Sequence, residues 1–290
     1  MPIPAAYTPE GSLRDSGAIF SVNRIRRPAG FAMEAPHYHP YYELFYLISG
    51  QCRVFIQHTL YYAQPGDVIF LPPNQLHKTS YVGSHDAERF TLTFLPAYTA
   101  AFDAMCPEMP VAELFVRHKI TLLPERRTRA EQLLTHIWQN STLPPDAYTA
   151  ADTSAALSML LVLLGRSPSP AEQAAPTDEG IQAAAQFIYD HHREQITLAQ
   201  AASVAHISAT YFSKKFRSVT GFGFKEYLTG VRLQDGAALL RTTNLSVTEI
   251  ALACGFTDGN YFGDAFKKAN GITPRQLRSA HQNTAQGGKI

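Results

Sequence analysis

Thr197-Leu198-Ala199-Gln200-Ala201-Ala202, a turn at His206, and Ser208-Ala209-Thr210-Tyr211-Phe212-Ser213-Lys214-Lys215-Phe216 make up one half of a repeat. The other half is Ser246-Val247-Thr248-Glu249-Ile250-Ala251, a turn at Gly255-Phe256, and Asp258-Gly259-Asn260-Tyr261-Phe262-Gly263-Asp264-Ala265-Phe266-Lys267-Lys268. In register, Tyr211-Phe212 falls on Tyr261-Phe262 and Phe216 on Phe266. Each copy predicts a short helix, a tight turn and a second helix, the arrangement that lays its second helix in a DNA major groove. Two in tandem imply double-stranded DNA as a partner.

Local signals around the repeat agree with that reading. Thr197 with Gln200, Ser246 with Glu249, and Thr273 with Gln276 are three capping boxes, the last followed by Pro274 at the first helical position. Gly221 and Gly255 stand where a helix ends and a left-handed residue is needed. Between the copies, Phe224 to Leu240 carries Tyr227, Leu228, Val231, Leu239 and Leu240, which predicts one helix. At about 1.5 Å per residue it runs roughly 25 Å. With its flanking turns it holds the two reading helices about one DNA turn (~34 Å) apart.

The stretch from about Ile181 to Arg278 resembles the DNA-binding domain of AraC-type transcription regulators. The resemblance rests on Ser208-x-x-Tyr211-Phe212-x-x-x-Phe216, Gly221-x-x-x-x-x-Tyr227-Leu228, Arg232-Leu233, Ile250-Ala251-x-x-x-Gly255-Phe256, Tyr261-Phe262-x-x-x-Phe266-Lys267 and Gly271-Ile272-Thr273-Pro274. It covers about a third of the chain, and the combination is specific where a lone helix-turn-helix would not be.

Phe212 and Phe216, four apart, anchor the first reading helix, which puts Thr210, Ser213, Lys214 and Arg217 on its other side. These match the family's base- and phosphate-contacting positions. Lys214 reaches guanine O6/N7 or a phosphate, and Ser213 and Thr210 bond several bases or touch a thymine methyl. The second helix presents Asn260, Gly263, Asp264 and Lys267. Asn260 suits adenine and Lys267 a phosphate, but Asp264 stands where the family often has a basic or longer polar residue. A carboxylate near phosphates is unfavourable unless it accepts from cytosine N4. The first unit is therefore expected to be the stronger reader.

The chain of 290 residues has room for two domains, and 17% charged against 45% hydrophobic residues excludes a disordered chain. From Asp178 onward 12 Lys and Arg face 9 Asp and Glu, and before it 13 face 15, so the excess of basic charge sits with the repeat but is small. That balance implies a modest phosphate footprint. Leu157 to Leu164 is the longest apolar run, too short to span a bilayer, and the start lacks a signal pattern, so a cytoplasmic protein without a membrane partner is expected. Cys52, Cys106 and Cys254 form no metal or disulfide spacing.

Arg166 to Thr177, with three prolines, reads as a linker. The expected domains are thus an all-β barrel over 1–124, a helical pair over 125–165, the linker over 166–177 and an all-α double helix-turn-helix over 178–290. Up to Phe94, β-branched and aromatic clusters alternate with Pro and Gly turns, as in an antiparallel sandwich or barrel. In the helical pair, Leu133, Leu134, Ile137 and Trp138 make one apolar face and Leu157, Leu160, Leu161 and Leu164 another, either core cover or also a homodimer seam.

One further constellation lies in the first half: Gly30-x6-His37-x-His39-x3-Glu43-x6-Gly50, then Gly66-x5-Pro72-x-Asn74-x2-His77. Period-two geometry puts His37 and His39 on one strand face, and Glu43 with them if the strand is regular. The pattern resembles the two motifs of the cupin barrel, with Asn74 in place of the second motif's usual glycine. That resemblance implies a ligand set of His37, His39, Glu43 and His77 for one divalent transition metal (Zn, Fe, Ni or Mn). The same side chains also suit direct hydrogen bonds to a small ligand. Phe31, Tyr38, Tyr41 and Tyr42 supply aromatic faces for a small polar effector such as a carbohydrate.

The whole resembles an AraC-family regulator and not an enzyme; the residues leave activator and repressor open, with RNA polymerase a partner in the activator case. The rival readings are a metal-dependent cupin enzyme with a DNA-binding appendage and a regulator whose signal is the metal.

Overall fold

Alternating turn residues and short apolar strands give, among the described residues, eight strands in two antiparallel sheets. The computed structural model describes residues 20–33, 37–168 and 178–287, with side chains through residue 280. From 169 on, the expected linker lies outside the described residues, as does the stretch 1–19. The strands are β1 (Phe20–Arg27), β2 (Tyr42–Ser49), β3 (Gln51–Ile56), β4 (Thr59–Ala63), β5 (Asp67–Leu71), β6 (His77–Val82), β7 (Ala87–Phe94) and β8 (Lys119–Thr121). One sheet runs β1-β7-β2-β5-β8 and the other β4-β3-β6.

The larger sheet is buried on both faces, which is why β2 reads as a nearly continuous apolar run. Phe45 and Leu47 face the small sheet and pack with Cys52, Val54, Ile56 and Ile69. Leu44 and Tyr46 face the other way, into a core shared with the following helices. Those helices are α1 (Ala100–Met105), α2 (Val111–Val116), α3 (Pro124–Asn140) and α4 (Ala147–Gly165). The two short helices and β8 were not expected from the sequence; β8 returns the chain to the sheet edge against β5.

The leucine stripes of α3 and α4 are core cover. Leu133, Leu134, Ile137, Leu157, Leu160, Leu161 and Leu164 are all buried against the sheet. These leucines are spent inside their own domain, while Trp138 of the same stripe is only partly buried. With its alanines and threonines, α4 reaches 19 residues and is apolar enough by composition to cross a membrane, longer than the leucine run alone suggests. Only its leucine stripe and a few neighbours are buried, and its other faces stay partly open. The face of α4 turned to solvent carries Tyr148 and Met159.

The second domain consists of α5 (Glu179–Asp190), α6 (Leu198–Val204), α7 (Ala209–Thr220), α8 (Phe224–Thr242), α9 (Val247–Ala253), α10 (Gly259–Asn270) and α11 (Pro274–Gly287). All three capping boxes form, with Thr197 and Gln200, Ser246 and Glu249, and Thr273 and Gln276 bonding reciprocally. Gly221 (φ 80°) and Gly271 (φ 73°) close the two reading helices α7 and α10 in the left-handed region. Phe212, Phe216, Phe262 and Phe266 are fully buried and seat those helices on the long α8.

A hub after α5 ties these units together. Arg232 of α8 donates to the carbonyls of His192 (2.6 Å) and Glu194 (2.7 Å), and Gln195 donates to Gly255 O (2.9 Å). Asp235 accepts from Arg193 at 2.8 Å and lies 3.0 Å from His192 Nε2. Gly255 (φ 85°) meets this hub so closely that a Cβ there would sit 2.7 Å from Arg193 O.

Candidate effector site and nucleic-acid interface

His37 and His77 pair through their backbones, His37 N donating to His77 O (3.2 Å) and His77 N to His37 O (3.0 Å). This single bridge, followed by Asn74 N donating to His39 O (2.6 Å), holds the 37–39 segment along the start of β6. His37 and His39 therefore share a face, and the ring nitrogens of His37, His39 and His77 come within 4.8 Å of one another. Glu43 joins them from β2, its Oε2 3.2 Å from His39 Nε2.

Donor chemistry suits a divalent cation. His77 Nδ1 lies 2.8 Å from Gln75 O, so the hydrogen sits on Nδ1 and Nε2 offers a lone pair into the site. That Nε2 is buried and has no hydrogen-bond partner among the described residues. Burial, then the charges of His37 and His39, push the His77 pKa well below the ordinary imidazole value, which keeps the ring neutral. Burial alone raises the Glu43 carboxyl, but its hydrogen bond and attraction to His39, then Arg89 and His77, hold it well below the usual carboxylate range. His39 Nδ1 lies 2.9 Å from Tyr41 O. A 3.2 Å gap between His39 Nε2 and Glu43 Oε2 is close to the ~3.3 Å that two donors on one tetrahedral ion with ~2.0 Å bonds would keep.

The lumen continues beyond the expected residues. Residues paired across an antiparallel ladder share a face. Thr93 is paired with Glu43, Thr91 with Phe45 and Arg89 with Leu47, so all three line the same interior as the cluster. The hydroxyls of Thr91, Thr93 and Tyr81 are buried without a hydrogen-bond partner among the described residues. Arg89 lies over the Phe45 ring (4.5 Å) and 3.8 Å from Glu43 Oε1. The sequence reading missed these four, although period two along β7 marks Arg89, Thr91 and Thr93 as one polar face.

Two of the four expected aromatic contacts are corrected. Tyr42 packs on Phe94 and Phe115 in the core beneath the helices, on the sheet face away from the histidines. Tyr38, between His37 and His39, points outward to the second domain, because neighbours in an extended segment face opposite ways. Tyr41 does reach the site, stacked parallel on His39 at 3.9 Å. Phe31 packs at the lumen's edge beside Tyr81 and under Arg27.

On the second domain, Thr210, Ser213, Lys214 and Arg217 are all exposed on α7, and Asn260, Asp264 and Lys267 on α10. Arg217 lies 3.5 Å from Glu226 at the start of α8, so it reaches DNA only by leaving that partner. Lys215 pairs with Asp178 and faces sideways. A Cβ on Gly263 would meet nothing within 4 Å.

The chain is thus a two-sheet domain with buried imidazoles in its lumen, joined to paired helix-turn-helix units whose outward faces are open. Residues 24–161 match the AraC-like ligand binding domain and residues 201–280 match a helix-turn-helix domain. The chain thus joins an AraC-like ligand-binding domain to an AraC-type helix-turn-helix domain. It is 31% identical over 141 residues to the HTH-type transcriptional activator RhaS of Klebsiella pneumoniae (strain 342), covering 49% of this chain and 50% of RhaS. Similarity to YijO, an uncharacterised HTH-type transcriptional regulator of Escherichia coli (strain K12), is 32% over 121 residues, 42% of either chain. The chain spans about half the length of the curated relatives it matches. Among solved structures, ToxT from Vibrio cholerae is 14% identical, with 90% of this chain and 98% of ToxT covered at a TM-score of 0.37. The DNA-binding domain of AdpA, solved with a target DNA, is 28% identical over 38% of this chain and 98% of that domain, at a TM-score of 0.36.

Proposed function

We propose that this chain is a cytoplasmic, sequence-specific transcription activator, with the lumen as effector site and α7 and α10 as DNA readers. The observation that carries the reading is the pairing of an interior donor cluster with two solvent-facing reading helices on one chain. The lumen's oxygen and nitrogen donors suit a small polar effector, a carbohydrate among them. His37, His39 and His77, with Glu43, would hold one divalent transition ion, which supplies a Lewis-acidic anchor for such an effector. Pairing of two copies adds a second half-site, and contact with RNA polymerase gives activation. An effector acts here by binding two arrangements of the domains unequally.

The test is a thermal-shift screen of full-length protein over sugars and first-row metals, followed by operator binding with each hit. A ligand that raises the melting temperature and changes operator affinity is expected. Metal analysis adds a second arm: about one equivalent in wild type, lost in His39→Ala. Ligand turnover by the purified protein would instead favour the cupin-enzyme reading. A response to metal with no organic ligand would make the ion the signal.

A further inference from the structure

The residues beside the three histidines are the ones that grip the reader. Tyr38 lies between His37 and His39 and is 9% exposed, its ring packed with the second domain's core. Its hydroxyl donates to Leu233 O of α8 (3.3 Å) and accepts from Asn270 Nδ2 (2.8 Å). Leu76 and Lys78 flank His77 and point outward as well. Leu76 packs on Gly230 of α8, where a Cβ would come within 2.9 Å of its methyl. Lys78 donates from Nζ to Gly221 O at 2.8 Å and lies over the Phe222 ring.

These grips land on matching places in the two units. Gly221 closes α7, and Asn270 is the last residue of α10, one before the equivalent Gly271. Arg53 of β3 adds a second donor at the end of α7, to Ser218 O (3.2 Å). A cation at a helix C-terminus is favourable against the dipole and the free carbonyls. The first domain thus straddles α8 and holds the C-terminal end of each reading helix, leaving both outward faces open. Alternation along an extended chain does the rest: inward side chains line the lumen, and their covalent neighbours set the readers.

We infer that Tyr38 and Lys78 are positioning residues that fix the relative pitch of α7 and α10, and that they transmit the state of the histidine cluster to DNA. The second clause rests on the lumen being the effector site. A ligand that draws His37, His39 and His77 together must move backbone shared with Tyr38, Leu76 and Lys78. The quantity it changes is the separation of two subsites in the DNA, not the chemistry of reading either one.

The experiment uses full-length protein and a duplex selected from a random library, then re-synthesised with the two major-groove subsites moved apart or together by single base pairs. Wild type is expected to prefer one spacing by about tenfold over its neighbours. The double variant Tyr38→Phe, Lys78→Met keeps the packing volume and is checked for an unchanged melting temperature. It should bind all spacings within about threefold of each other, with affinity for a single subsite unchanged. Asn270→Ala should relax spacing in the same way and add nothing to Tyr38→Phe. A folded double variant that keeps the wild-type spacing preference overturns the proposal.

Zinc chloride, added with and without a chelator, tests transmission. Uptake of zinc that shifts the preferred spacing in wild type but not in the double variant supports it. An equal shift in both proteins overturns it. No uptake by wild type, with spacing still relaxed in the variant, sinks the metal reading and leaves the positioning role standing.

Discussion

Position for position, Thr210, Ser213, Lys214 and Arg217 of the first unit answer to Asn260, Gly263, Asp264 and Lys267 of the second. The helices beneath them begin and end alike, with Ser208 and Asp258 as N-caps and Gly221 and Gly271 as left-handed closures. Buried phenylalanines seat both in the same way. At the turn the two part company. The first places His206, exposed, at φ 55°, and the second places Gly255 at φ 85° against the hub carbonyls. The repeat therefore conserves what folds and varies what faces outward, except at the one turn where the second unit is wedged against a neighbour.

The sharpest way to break that comparison is Gly255→Ala. Its Cβ would lie 2.7 Å from Arg193 O in a conformation unfavourable to side chains. A loss of about 3 kcal/mol is expected, read by denaturant unfolding. A loss under about 1 kcal/mol would mean the hub gives way easily. On the DNA side, Lys214→Ala should cost about 1–3 kcal/mol of operator binding, with discrimination relaxed at one position. A loss uniform across sequences would make Lys214 a phosphate contact. Its counterpart Asp264→Ala should leave affinity unchanged or raise it by about 0.5 kcal/mol, since it removes a carboxylate near phosphate. A comparable loss at both positions would erase the asymmetry between the units.

The hub itself has a pH signature. Burial raises the Asp235 carboxyl, but hydrogen bonds and charge from His192 and Arg193 outweigh it and bring the pKa from 3.8 to about 2. A depressed carboxyl contributes its full stability above its unfolded value and loses it as pH falls through the folded one. Asp235→Asn should therefore cost about 1 kcal/mol at neutral pH, a gap that closes between about pH 4 and 2. A gap independent of pH would show that shape, not charge, holds the hub. Smallest of all, His206→Gly should stabilise the first unit by about 0.5 kcal/mol, relief of the left-handed turn being partly offset by the freer unfolded chain. A destabilised variant would give His206 a partner in the fold.

The tandem units were legible because their signals are local: caps three residues apart, a four-residue aromatic spacing, a glycine at each helix end. The resemblance to the cupin motifs points to His37, His39, Glu43 and His77, and the fold brings the three rings together with Glu43 beside His39. Arg89, Thr91 and Thr93 were not legible as site residues, since only the pairing of β7 with β2, across more than 40 residues, turns them toward the histidines. Tyr38 is a different case. The alternation that puts two histidines on one face puts the residue between them on the other, toward the second domain. The leucines of α3 and α4 were legible as stripes, but the partner they cover is set by tertiary packing.

Gly263 lies in the middle of the second reading helix with open space where a side chain would project. Glycine there forgoes about 1 kcal/mol of helix stability relative to alanine. Any residue but proline would gain helix propensity here, and its Cβ would meet no atom within 4 Å. If α10 enters the major groove as proposed, a side chain added here changes the contacts offered to bases at no cost in helix stability. On that reading, position 263 is an open slot in the second unit's contact face.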